Sequence, residues 1–187
     1  MDEARVLETA GERMDASVAD AKQKLGTVRT GRASLAMLDG IRVDYYGTPT
    51  PLNQIAKLSV PEPTLIVAQP FDPSTLTLIE KAIMASDLGL NPSNDGKIVR
   101  IPIPPLTEER RKQLVKRVRA LGEEAKTAIR QIRRDANEEI KKLEKDSAIS
   151  EDAARRHLDE IQKTTDRHTD KIDGLCKDKE KELMEIA

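Results

Sequence analysis

The sequence has no tryptophan, a single cysteine and only three aromatic residues in 187. A chain so poor in aromatics does not build one thick globular core, and 35 % charged residues point instead to long solvated helices. The lone Cys176 excludes an internal disulfide framework and fits a reducing compartment. The N-terminal MDEARVLETAGERMD lacks the basic and apolar regions of a secretory signal, and it is too acidic for a transit peptide. No apolar run approaches membrane-spanning length, so a soluble, cytoplasmic protein that avoids membranes is expected. An excess of charge of one sign is also missing, with 32 basic against 33 acidic residues and a net charge of −1. A polyanionic partner would therefore have to be recognised through segregation of charge along the chain.

Catalytic signatures are absent as well. Glycine-rich phosphate loops, HExxH and GxSxG do not occur. His157 and His168, eleven residues apart, can share a helix face, but His168 sits on an apolar stripe and reads as a seam histidine with a hydrogen bond. Cys176 reads as a packing or surface residue. No enzyme, no metal site and no cofactor is expected.

What is present divides the chain. All ten prolines lie between Pro49 and Pro105, and all three aromatics, Tyr45, Tyr46 and Phe71, fall in the same region. That shift in composition marks residues 31–105 as a small domain inserted into a helical one formed by 1–30 and 106–187. In the first flank Leu7, Met14, Val18, Ala21, Leu25 and Val28 recur at helical spacing. After the insert Leu114, Val118, Leu121, Ala125, Ala128, Ile132, Ala136, Ile140 and Leu143 form a second stripe. Ala154, Leu158, Ile161, Thr165, His168, Ile172, Leu175 and Ile186 form a third. Three narrow stripes that cannot be buried alone predict an elongated antiparallel three-helix bundle, with its last two helices about 50 Å long. Ser150 is placed to cap the third helix.

In the insert, alternation of Ile41, Val43 and Tyr45, of Leu58 and Val60, and of Val99, Ile101 and Ile103 predicts short strands. The run LIVA at 65–68 predicts a buried one. Asp72-Pro73 predicts a helix start, with Leu76, Ile79 and Ile83 on the inner face. The fold class is α+β, a bundle with an inserted β/α/β domain. Gly31 and Pro104-Pro105 are the two joints, each a point about which one domain can swing.

Charge is segregated. Lys22, Lys24, Arg29 and Arg32 stand with no acid among them, and residues 110–134 hold ten basic residues against two acidic, a net of +8. On a helical wheel Lys112, Lys116, Arg119, Lys126, Arg130 and Arg133 gather on one side, away from the Leu114/Val118/Leu121/Ile132 stripe. With Arg110, Arg111 and Arg134 they predict a basic ridge that faces a negative partner. A mere solvated face is the ordinary alternative, but such faces mix signs at i,i+4. Arginine suits bidentate phosphate contacts, and the absence of aromatics on these helices removes base stacking. Recognition of folded RNA through backbone and shape is expected.

The segments RTGRASLAMLDGIRVDYYGTPTPLNQIA (29–56), EKAIMASDLGLNPSNDG (80–96), RIPIPPLTEERRKQLVKRVR (100–119) and IRRDAN (132–137) closely resemble bacterial ribosome recycling factor. The resemblance covers essentially the whole chain. It is thinnest in the first twenty residues and in DRHTDKIDGLCKD (166–178), where His168 and Cys176 lie. It implies an L-shaped molecule whose bundle rests on large-subunit ribosomal RNA and whose smaller domain meets elongation factor G. It further implies a monomeric factor that, with GTP hydrolysis on that partner, splits the post-termination ribosome into subunits. By position, Arg29, Gly31 and Arg32 match the family's RTGR segment, and Arg130, Arg133 and Arg134 lie in or beside RRDAN. A salt bridge from Arg32 that pins the joint is the alternative to RNA contact there. A coiled-coil RNA chaperone or ribosome-stalling protein is the alternative function, although neither would need a jointed insert.

Overall fold

A computed structural model describes residues 2–185. Ile186, expected in phase with the third stripe, lies outside the described residues. In chain order the first elements are helix α1 (Glu3–Gly26), strands β1 (Arg42–Tyr45) and β2 (Thr48–Pro51), and a single-turn helix α2 (Leu52–Ile55). Strands β3 (Ala56–Glu62) and β4 (Leu65–Pro70), helix α3 (Leu76–Met84) and strands β5 (Ser93–Asn94) and β6 (Val99–Pro102) follow. The chain closes with helices α4 (Glu108–Lys145) and α5 (Glu151–Glu185). The chain forms two compact units, one from the residues up to Arg29 with Glu108–Glu185, the other Thr30–Thr107.

The first unit is a three-helix bundle in which α1, α4 and α5 pack against one another along their lengths. α4, with 38 residues, is about 57 Å long. Arg119 reaches Glu180 and Lys126 reaches Asp173, so α4 and α5 run antiparallel. The helix ends carry the expected chemistry. The Asp2 carboxylate accepts from the Arg5 backbone N–H at 2.8 Å, and Ser150 Oγ accepts from that of Ala153 at 3.1 Å. Between α4 and α5, Ser147 adopts φ +57° and the Ala148 N–H returns to the Leu143 carbonyl at 2.9 Å, closing the helix as a Schellman turn does.

The core of this unit is aliphatic: Val6, Ala10, Met14, Ile129, Ile132, Ala136, Ile140, Ala154, Ile161 and Ile172. Fully burying such side chains contributes about 1.5–3 kcal/mol each. Three details differ from the stripes read in sequence. Val6 and Ala10 are buried on α1, whereas Leu7 and Val18 are only partly so. On α4 Ile129 is completely buried and Ala128 is exposed. On α5 Leu183 joins the buried set. Each helix faces two neighbours and buries a broad arc, so one narrow heptad stripe misses Val6, Ala10, Ile129 and Leu183.

The second unit holds a two-stranded sheet β1-β2 and a four-stranded sheet in the order β3-β4-β6-β5, all antiparallel. α3 lies against β1, β5 and β6 and inserts Ile79 and Ile83 among Ile66, Ala68, Val99 and Ile101. Asp72 opens the helical segment by accepting from the Ser74 backbone N–H at 3.0 Å, with Pro73 next in line. The expected alternation at Leu58 and Val60 breaks down. A register shift between Ser59 and Glu62 leaves Val60 exposed. β2 carries two prolines and shows no strand pattern in the sequence. It belongs to a two-stranded ribbon, in which each strand has an unpaired edge where a missing N–H is tolerated.

Both ends of this unit are tied to one place. The Ala33 N–H donates to the Pro63 carbonyl and the Ile103 N–H to the Thr64 carbonyl, each at 2.7 Å. Outside these two bonds lie Gly31 on one side and Pro104-Pro105 on the other. Gly31 has φ +80°, and a Cβ built there would lie 3.2 Å from Leu106 Cγ. Glycine suits the left-handed backbone, and any Cβ there would also push the Leu106 side chain aside by a few tenths of an ångström.

Candidate nucleic-acid interface

The basic residues of α4 separate into two groups with different surroundings. Arg119 and Lys126 are turned to α5. Arg119 Nε donates to Glu180 Oε1 at 2.9 Å. Lys126 forms an ion pair with Asp173 and a longer one with Glu123 at 3.5 Å, and its side chain is only 19 % exposed. The hydrogen bond with Asp173 raises the Lys126 pKa above its ordinary value, so its charge is held within the bundle seam. Arg133 is half-buried and reaches Gln162 of α5 at 3.5 Å. The expectation of an outward position is corrected for Lys126 and Arg133, which are partly buried at the α4–α5 seam, whereas Arg119 is exposed and reaches across that seam to Glu180. A wheel drawn for one helix cannot show those partners.

The second group faces outward. Lys116, Arg130 and Arg134 are exposed, and no ion pair or side-chain hydrogen bond engages them among the described residues. At 100° per residue Lys112, Lys116, Arg130 and Arg134 lie within about 40° of one another, with Glu123 between them in angle. Lys112 is exposed and makes only a 3.6 Å surface contact with Glu108. Arg110 donates to Gln113 Oε1 at 3.1 Å, and Arg111 is half-buried. Arg29 and Arg32, one in each unit, are exposed, and neither forms a salt bridge among the described residues.

An outward row of like charges costs stability by mutual repulsion, which an anionic partner would relieve. On the opposite flank of α4, Arg13 of α1 donates to Asp135 Oδ2 at 3.1 Å. Hydrogen bonds from Gln131 and then Arg13 hold the Asp135 carboxyl below the usual carboxylate range. That flank is satisfied within the bundle.

The two residues set aside in the sequence have structural surroundings. His168 is buried between α5 and α1, with Nδ1 2.6 Å from the Thr164 carbonyl and Nε2 2.6 Å from Asp15 Oδ1. Cys176 packs on Gly122 of α4, and burial pushes its thiol pKa up, away from thiolate chemistry. Among the described residues no group of three His, Cys, Asp or Glu side chains is placed to hold a metal ion. No described helix is long and apolar enough to cross a membrane.

Residues 21–184 match the family model described as Ribosome recycling factor. A ribosome-recycling factor of Desulfatibacillum aliphaticivorans is 58 % identical over 181 residues, covering 97 % of this chain and 98 % of that one. One from Geobacillus thermodenitrificans is 55 % identical over 182 residues with the same coverage. Among solved structures, the solution structure of a ribosome recycling factor superimposes with a TM-score of 0.71 at 40 % identity, covering 100 % of this chain and 99 % of that chain. A second, at TM-score 0.62 and 47 % identity, covers 98 % and 100 %. It is the T. thermophilus ribosome recycling factor, placed with E. coli elongation factor G on the E. coli post-termination complex. With a family match over most of its length and relatives above half identity across nearly all of it, this chain belongs to the ribosome recycling factor family.

Proposed function

We propose that this chain binds the post-termination ribosome and, together with elongation factor G and GTP hydrolysis on that partner, separates the two subunits. The observation that carries the reading is the family membership over nearly the full length, joined to the outward cationic row Lys112, Lys116, Arg130 and Arg134. In this reading the bundle docks on large-subunit ribosomal RNA, with exposed guanidinium and ammonium groups against phosphates. Arg29 and Arg32 contribute beside the joint. Arg119, Lys126 and Arg133 serve mainly to hold α4 to α5.

The second unit carries the mechanical part. It has a core of its own, and the bonds from Ala33 and Ile103 give it firm ends. The chain crosses between units at the segments holding Gly31 and Pro104-Pro105, so motion there displaces the small unit while the bundle stays docked. In this reading the protein does work on the ribosome by transmitting a displacement from the GTPase in this way. The test is light scattering of purified post-termination ribosomes. Subunit separation is expected when this protein, elongation factor G and GTP are all present, and it should fail when any one is left out or GTP is replaced by a non-hydrolysable analogue. Separation by this protein alone would overturn the reading.

A further inference from the structure

Two of the chain's three aromatic residues are left outside both cores: Tyr46 is 78 % exposed and Phe71 67 %. They stand at one corner of the small unit, joined through Asp72, whose Oδ2 accepts from the Tyr46 hydroxyl at 3.4 Å. Folding does not account for Tyr46. It occupies the first position of the two-residue turn between β1 and β2, with φ +49° followed by Gly47 at φ +80°. Two positive φ values are what a type I′ turn needs, and Asn or Gly fills the first position at least cost. A bulky residue in the left-handed region costs about 1–2 kcal/mol. The chain therefore bears a backbone penalty to present an aromatic ring at this tip.

The ring is held in place. Tyr45 meets it edge-on, with centroids 4.6 Å apart and planes at 74°, and Tyr45 itself packs against the small unit's core. The hydroxyl bond to Asp72 fixes the far end. Phe71 is anchored by its backbone N–H, which donates to the Ile55 carbonyl at 3.0 Å. Asp72 accepts only from neutral groups, namely Ser74 through both backbone and hydroxyl, and Tyr46. The Ser74 hydrogen bonds hold its carboxyl below the usual carboxylate range. The corner thus combines two aromatic faces with a charge that no basic side chain neutralises among the described residues.

We propose that Tyr46, Phe71 and Asp72 form a docking site for a lysine or arginine side chain on a protein partner. Aromatic faces attract cations through their quadrupole, and an adjacent carboxylate adds a direct ion pair. The same carboxylate repels phosphate, which disfavours a nucleic-acid occupant even though the rings could stack on bases. This surface lies wholly in the small unit and does not depend on how the bundle binds RNA.

The test is an NMR titration of the full-length protein with three probes: a hexapeptide alternating arginine and glycine, the same peptide with glutamate for arginine, and hexauridylate. Signals of Tyr46 and Phe71 should shift with the arginine peptide and stay unmoved by the other two. In Tyr46→Asn/Phe71→Ser the arginine peptide should bind about fivefold more weakly, given the modest strength of exposed cation–π contacts. Asparagine suits the turn, so that variant keeps its fold, and unchanged shifts of the core Ile79 and Ile101 methyls check this. Asp72→Asn should weaken binding as well. No shift with the arginine peptide, equal shifts with hexauridylate, or undiminished binding in the double variant would each overturn the proposal.

Discussion

Gly122 of α4 and Cys176 of α5 touch so closely that a Cβ added to Gly122 would lie 2.6 Å from Cys176 Sγ. In a helix interior alanine is favoured over glycine by about 1 kcal/mol, so the glycine is kept for the contact and not for the helix. Gly122→Ala should destabilise the bundle by about 1–3 kcal/mol, the usual cost of overpacking. In a Cys176→Ala background the clash disappears and the sign should reverse, with Gly122→Ala now stabilising by about 1 kcal/mol. Urea unfolding followed by circular dichroism on the four proteins of this cycle checks the prediction. The same sign in both backgrounds would place the glycine's role elsewhere.

The Asp15–His168 pair predicts a pH dependence. The two ring nitrogens of His168 lie 2.6 Å from the Thr164 carbonyl and from the Asp15 carboxylate. The hydrogen bond from His168 holds the Asp15 carboxyl below its ordinary value. A carboxylate depressed in the folded state contributes stability above its unfolded pKa, and that contribution disappears as the pH falls through the folded one. Asp15→Asn should therefore be less stable than the parent near pH 6, and the gap should close below about pH 4. Because Asp15 is largely exposed, solvent screening keeps the gap small. Denaturant midpoints of both proteins across this range decide it. A gap that persists at pH 2 would mean that packing, and not charge, joins these helices.

Gly31→Ala tests the joint in isolation. Alanine in a left-handed backbone costs about 1–2 kcal/mol, and its Cβ would press on Leu106. Gly31 and Leu106 both belong to the unit that holds every aromatic residue. Tyrosine fluorescence therefore reports that unit alone, while circular dichroism is dominated by the long helices. The tyrosine-detected midpoint should fall and the helix-detected one should stay put. Equal shifts of both would show that the strain is shared with the bundle.

Much of this architecture is legible from local chemistry. Asp72-Pro73 reads as a helix start because a carboxylate and a fixed φ act within three residues, and Ser150 is legible for the same reason. The small-unit strands declare themselves in two ways, at 65–68 through an unbroken apolar run and at 99–103 through the alternation of Val99, Ile101 and Ile103. β5, with two residues, and the proline-bearing β2 have no such pattern and exist only because a neighbouring strand pairs with them. The candidate interface is legible in outline but not in detail. Arg119 finds Glu180, 61 residues away, and no i,i+4 rule reveals such a partner. The exposed corner at Tyr46 and Phe71 carries no sequence signal of its own, because aromatic residues in a strand-rich region are ordinarily core.

We propose that the outward row of α4, and not the seam cations, carries the bundle to ribosomal RNA. It is tested most directly by the salt dependence of binding to large ribosomal subunits. For Lys116→Ala/Arg130→Ala/Arg134→Ala the slope of log affinity against log salt should fall by roughly 0.7–0.9 for each phosphate left without its cation, roughly 2.1–2.7 in all, with helicity unchanged. For Arg119→Ala/Lys126→Ala the slope should stay near the parent value, while the bundle unfolds at lower urea. An unchanged slope in the outward variant, or an equal fall in both, would contradict that role for the outward row.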